Sequence, residues 1–207
     1  MNKNEPTGDA SKSSAASDHP MPQPRKIPML IQILLALVAI VLVLVIIVAV
    51  QPSEFHVERS AKISAPPAEV FSQVNNFHAW EAWSPWEKMD PTMKKTYEGP
   101  PAGTGAIYSW VGSSQVGEGR MTLTESQPND LIRIKLEFFK PFAGTNTAEF
   151  AFKPERDETL VTWSMDGKYS FIPKAMNLVM NINKMIGGQF ETGLAQMKSV
   201  VEEANKK

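Results

Sequence analysis

The sequence predicts an α+β protein: an antiparallel sheet of about seven strands, short helices after the first strand and a long C-terminal helix, all behind one transmembrane helix. Three observations carry that prediction. There is an uncharged stretch from residue 27 to residue 50, a series of short alternating runs between residues 53 and 167, and an apolar stripe at helical spacing near the C-terminus.

Residues 27–50 come first. From Ile33 to Val50 every residue is apolar, which makes a helix of about 27 Å, close to the hydrocarbon thickness of a bilayer. A buried core helix is rarely so uniformly aliphatic. A cleaved signal peptide has a shorter apolar region, about 7–15 residues, and "VAVQPSE" offers no small-x-small cleavage site. Residues 1–26 are rich in Ser, Ala, Pro and Asp without apolar periodicity, the composition of a disordered tail. Arg25 and Lys26 precede the span, and no basic residue follows it until Arg59. By the positive-inside rule the tail stays in the cytoplasm and residues 51–207 form an extracytoplasmic domain, periplasmic in a Gram-negative cell.

Within that domain, Phe55, Val57, Ala61 and Ile63 alternate with Glu58, Ser60 and Lys62, the period of a half-buried strand. "SAPPAEVFSQVNN" predicts a short helix with Ser64 as its cap and prolines in its first turn. The tryptophan-rich "FHAWEAWSPWEKMD" follows, then strand-like runs at "KKTYEG", "GAIYSWVG", "GEGRMTLTES", "LIRIKLEFF", "NTAEFAFKP" and "TLVTWSMDG". Their short connections predict an antiparallel meander. Ile186, Phe190, Leu194, Met197 and Val201 then mark one face of a long helix, interrupted by Gly187 and Gly188, which signal a kink or a close approach.

The order and wording of these elements resemble the SRPBCC or START-like helix-grip superfamily, which includes START lipid-transfer domains, polyketide cyclases and dehydrases, and birch-pollen-allergen-like proteins. In particular they look like polyketide cyclase/dehydrase-like proteins with an N-terminal membrane anchor. The resemblance spans residues 54–204 and rests on "ISAPPAEVFSQVNNFHAWEAWSPWEKMDP", "YEGPPAGTGAIYSWVG", "VGEGRMTLTESQP", "VTWSMDG" and "FETGLAQMK". It implies a curved sheet gripping the long helix around an apolar cavity. It implies no reaction, because the superfamily holds carriers, enzymes and regulators.

The composition excludes several chemistries. With 21 basic and 22 acidic residues and a net charge of −1 there is no basic face for nucleic acid. The absence of cysteine removes disulfides, zinc ribbons and thiol nucleophiles. No metal-ligand spacing, GxSxG or Walker sequence occurs, so neither a metal site, nor a cofactor, nor a catalytic constellation is predicted. His56 falls on the polar face of the first strand and His78 among aromatics, where it bonds locally. Asp166 before Gly167 reads as a turn residue, Glu149 as solvent-facing, and Glu118 between glycines as a strand bulge.

A binding reading is better supplied. The candidate cavity lining comprises Trp83, Trp86, Tyr97, Tyr108, Trp110, Met121, Leu136, Phe138, Phe150, Trp163, Met180 and Phe190. The C-terminal helix adds Met176, Met180, Met185 and Met197 as adaptable apolar surface, and Tyr97, Tyr108 and Ser109 supply polar handles. The alternative is that these side chains fill a dry core. The tryptophans read as a rigid plug that contributes to the pocket rim, with a bilayer anchor as the other possibility. Gln51–Glu54 reach at most about 13 Å from the span, so the domain lies against the bilayer. Three functions remain open: a binding domain for a lipid, isoprenoid or quinone-like molecule; an interaction or regulatory module for a protein partner; and a cyclase or dehydrase acting on an apolar substrate.

Overall fold

The computed structural model describes residues 28–206, so the tail expected over residues 1–26 lies outside the described residues. Helix α1 (Met29–Val50) is long and apolar enough to cross a membrane, and Val48 alone of its residues is buried. The chain separates into two compact units between Val43 and Leu44, so the last turns of α1 belong with the domain that follows.

Strand β1 (Glu54–Ile63) leads to three short helices, α2 (Pro67–Asn75), α3 (Trp80–Trp83) and α4 (Pro85–Met89), with a 3-10 turn at Phe77–Ala79. Six strands follow: β2 (Lys94–Glu98), β3 (Ile107–Val111), β4 (Glu118–Gln127), β5 (Leu131–Lys140), β6 (Gly144–Glu155) and β7 (Glu158–Lys168). Helices α5 (Phe171–Asn177) and α6 (Ile182–Ala204) close the chain. The sheet is seven-stranded and antiparallel in the order β1-β7-β6-β5-β4-β3-β2, so consecutive hairpins run from β2 to β7 and β1 joins the far side of β7. Alternation sets its inner face: in β5, Ile132 and Ile134 are buried while Arg133 and Lys135 are exposed. The bulge expected at Glu118 is present as a register shift between Glu118 and Gly119.

Helix α6 packs on β1 and α2–α4. Phe190, Leu194, Met197 and Val201 of its stripe are buried, each contributing roughly 1.5–3 kcal/mol relative to exposure. The helix runs unbroken through Gly187 and Gly188. Gly187 marks a close approach: a Cβ there would lie 2.1 Å from the Arg59 guanidinium.

Three local expectations are corrected. Ser64 does not cap α2, which begins with Pro66 at the cap position and Pro67 in the first turn. Proline's fixed φ starts the helix instead, and the Ser64 N–H donates to Glu202 of α6 at 2.8 Å. Asp166 and Gly167 are not a turn: β7 continues to Lys168 because β1 offers it a partner along its whole length. The closing helical run is not continuous either. It breaks at residues 178–181, and Asn181 starts α6 afresh by accepting the Lys184 N–H at 2.8 Å.

Candidate functional site

The short helices α3 and α4 bring two groups of side chains together over the inner face of the sheet. The first surrounds Trp163 of β7. Its indole stacks between Phe150 of β6, at a centroid distance of 4.7 Å, and Phe190 of α6, at 4.1 Å and nearly parallel. Trp80, Trp83 and Trp86 present edges to it at 6.2, 5.7 and 5.7 Å. Both stacked and edge-to-face geometries are favoured by the ring quadrupoles. Gly193 of α6 faces Trp163, Pro85 and Trp83. Trp80 and Trp83 are buried, whereas Trp86 is half-buried at the margin of the cluster and also edges Phe190.

Three indole N–H groups of this region are paired, and that of Trp163 is both buried and unpaired. Trp80 donates to the Val74 carbonyl at 3.0 Å, Trp83 to Gln73 at 3.1 Å and Trp110 to Val116 at 3.0 Å. Trp163 is 3% exposed, and its Nε1 is buried without a hydrogen-bond partner. Such a donor costs about 1–3 kcal/mol while it stays unpaired.

The second group is polar and starts one residue beyond Trp86. Glu87 accepts the Tyr108 hydroxyl at 2.8 Å and Lys95 Nζ at 2.9 Å. Lys95 also donates to Glu81, which accepts the Tyr97 hydroxyl at 3.2 Å. His78 stacks on Tyr97 with centroids 3.8 Å apart, and its backbone N–H donates to Asn76. Burial, reinforced by the Glu81 charge, pushes Tyr97 up to about 12. Burial and the bond to Glu87 push Tyr108 well above the usual phenol range. Burial lowers the Lys95 pKa, but its bonds to Glu81 and Glu87 outweigh this and raise it. At neutral pH the tyrosines are therefore donors and the lysine is charged, an arrangement that holds α3–α4 on β2–β3. At the end of α4, Asp90 accepts the Ser113 N–H at 2.6 Å and the Thr92 hydroxyl at 2.7 Å. These bonds hold its carboxyl at about 2, below the usual range.

The expected lining residues divide accordingly. Trp83, Trp86, Phe150, Trp163 and Phe190 form the aromatic group. Tyr97, Tyr108 and Trp110 form a second line with Phe138, whose ring meets Trp110 at 5.9 Å. Met121 and Leu136 lie opposite Tyr108 across successive strands. Met180 does not join them: it is exposed in the turn between α5 and α6, and Met176 and Met185 are exposed as well. The helix expected to carry these methionines breaks between Asn177 and Ile182. Ser109 also leaves the inner face, accepting Arg120 Nε at 3.2 Å on the other side of β3. With Trp80 and Trp83 buried, the tryptophan stretch packs as a plug and not as a bilayer anchor.

Glu81, Glu87 and Lys95 were not foreseen. Lys95 could have been found, since it shares a face of β2 with Tyr97 two residues on. His56 is exposed, as expected, and bonds Asp166 at 2.8 Å; that bond raises its pKa above 6.5. Glu149 pairs with Arg133 at 2.7 Å. Among the described residues no cluster of His, Cys, Asp or Glu is arranged to hold a metal. One open cleft of about 230 Å³ lies beside His78, Tyr97 and Pro100, and another of about 560 Å³ beside Phe55, Tyr169 and Leu178. Of the twelve lining residues, only Tyr97 borders either.

A curved antiparallel sheet closed over a long C-terminal helix, with an aromatic interior under two short helices, defines a helix-grip domain. The chain belongs to the polyketide cyclase / dehydrase and lipid transport family, whose profile matches residues 54–202. Solved structures agree on the fold. A protein from Nitrosospira multiformis is 20% identical, with a TM-score of 0.54 over 74% of this chain and 100% of its own. A protein from Chromobacterium violaceum is 16% identical, with a TM-score of 0.52 over 73% of this chain and 99% of its own. The di-domain ARO/CYC StfQ of the steffimycin biosynthetic pathway is 14% identical, with a TM-score of 0.56 over 75% of this chain and 53% of its own. No curated protein matches the chain.

Proposed function

We propose that this protein is a membrane-anchored domain that binds a hydrophobic small molecule bearing a hydrogen-bond acceptor, in the class of lipids, isoprenoids or quinones. Residues 27–50 span the bilayer, the N-terminal tail is cytoplasmic and the domain lies on the opposite side. The observation that carries the binding reading is the unpaired Trp163 N–H inside an aromatic interior. A ligand carbonyl or hydroxyl satisfies that donor, while its apolar body takes the place of rings now packed on one another. Trp86 is the ring to be displaced, since it is half-buried and rides on a helix of five residues. Burial of apolar surface at about 25 cal/mol per Å² drives the exchange.

The test is native mass spectrometry of the full chain released from lipid nanodiscs, paired with tryptophan fluorescence during titration with a short-chain quinone and with a fatty acid. A defined co-purifying apolar mass, or saturable quenching that weakens about tenfold in Trp163→Phe, is expected; a tenfold change corresponds to about 1.4 kcal/mol. An apo mass with no fluorescence response to either probe refutes the reading. A cyclase-type activity is the second reading, favoured by the convergence of Glu87, Tyr108 and Lys95 beside the aromatic group. It predicts that a bound polyketide-like probe leaves with an altered mass.

A further inference from the structure

We infer that residues 171–185, comprising α5, the turn after it and the first turn of α6, form a second membrane contact that lies in the headgroup layer beside the span; this rests on reading α1 as a transmembrane helix. The segment is apolar and exposed. Phe171, Ile172, Leu178 and Met180 are each about half exposed, and Val179 is 89% exposed. A soluble surface rarely leaves so many large apolar side chains contiguous unless something covers them.

Its charge names the cover. Within residues 171–185 the charged side chains are Lys174 and Lys184, with no carboxylate; Lys168, just before the segment, is paired with Glu54 at 3.1 Å. An apolar segment with only basic charge suits a bilayer containing anionic lipid, with the apolar side chains at the acyl boundary and the lysines among the headgroups.

The depth of the segment follows from contacts inside the domain's own unit. Lys174 Nζ donates to the Ala49 carbonyl at 3.4 Å, and Gln51 and Pro52 line one cleft with Lys174, Leu178 and Val179. Val50 is the last residue of the apolar run. Helix α5 therefore stands level with the end of that run, where hydrocarbon gives way to headgroups. Residues 51–53 separate α1 from β1 and reach roughly 10 Å, too little to lift α5 clear of the surface.

Because the native chain has no cysteine, single labels can be placed cleanly. The variants Val179→Cys, Val38→Cys in the span and Asp157→Cys in the β6–β7 turn each receive an environment-sensitive fluorophore. Asp157 serves as the distant control, since β7 puts about 35 Å between it and Lys168. The full chain is then placed in nanodiscs of phosphatidylcholine with a minority of phosphatidylglycerol, with or without nitroxide-bearing lipid. The labels at Val38→Cys and Val179→Cys should be quenched several-fold more than the label at Asp157→Cys. If Val38→Cys is quenched and Val179→Cys is no more quenched than the control, the span stands and the second contact is refuted. A Val179→Cys label that is blue-shifted yet out of reach of the lipid quencher refutes it in favour of a protein cover. If Val38→Cys is itself unquenched, the transmembrane reading fails and the second contact fails with it.

Discussion

Two glycines five residues apart on α6 should respond to alanine with opposite signs. In a helix interior alanine is favoured over glycine by about 1 kcal/mol. At Gly188 nothing lies within 4 Å of an added Cβ, so Gly188→Ala should keep that gain and stabilise the domain. At Gly193 the new Cβ would lie 2.9 Å from Trp163 Cζ3, 3.2 Å from Pro85 Cδ and 3.6 Å from Trp83 Cζ3. None of these is the free end of a flexible chain: Trp163 is held between Phe150 and Phe190, and Pro85 opens α4. Overpacking of this kind costs about 1–3 kcal/mol, which exceeds or cancels the helical gain. The two variants should therefore differ by about 2 kcal/mol, or roughly 4–8 °C in Tm for a chain of this length. Thermal unfolding of the full chain in detergent, followed by near-ultraviolet circular dichroism, measures the difference. If Gly193→Ala matched Gly188→Ala, Trp163 would have room to retreat, and the close packing argued for the interior would be wrong.

Thr159 is fully buried and donates to the Ala65 carbonyl at 2.7 Å; Thr159→Val leaves that carbonyl unpaired and should cost about 1–3 kcal/mol in urea unfolding. Asp90 is held at about 2 chiefly by the Ser113 N–H and then by Thr92, against an ordinary value of 3.8. Its contribution is full above pH 3.8 and disappears as pH falls towards 2, so Asp90→Asn should flatten the fall of Tm across that window. The His56 pKa is raised by its bond to Asp166 and then opposed by slight burial. Its contribution is complete below pH 6.5 and is lost as pH rises through the raised value; Asp166→Asn should move the His56 titration, followed by its proton resonance, to lower pH, leaving the smaller upward effect of Glu58.

Much of this architecture can be read from the chain because a strand's side chains alternate strictly. Ile132 and Ile134 declare the inner face of β5 wherever the strand lies, and the glycines around Glu118 declare its bulge. Alternation says which face a residue takes, but not whether facing rings touch. The stack of Trp163 on Phe190 joins residues that meet only once α6 has settled on the sheet. Glu87 was hidden for a similar reason: on a five-residue helix its direction is set by packing and not by periodicity. Local signals failed where distant partners outweighed them. Asp166–Gly167 has the chemistry of a turn, yet pairing with β1 keeps it extended. Met180 lies in an apolar run that reads as helix, yet the helix breaks there and leaves it exposed.

The pairing of β1 with β7 also sets an order of assembly. β1 leaves the ribosome directly after α1, yet its hydrogen-bonding neighbour lies beyond the whole meander, with Glu54 opposite Lys168 and Ile63 opposite Thr159. Strands β2 to β6 can zip as each hairpin is synthesised, whereas β1 must wait with bare edges until residues 158–168 have emerged. Long-range pairings of this kind slow folding and leave edges open to the wrong neighbour. A chain halted before Glu158 would keep its first strand unmatched next to the apolar helix, and only translation of the last quarter of the protein completes the sheet.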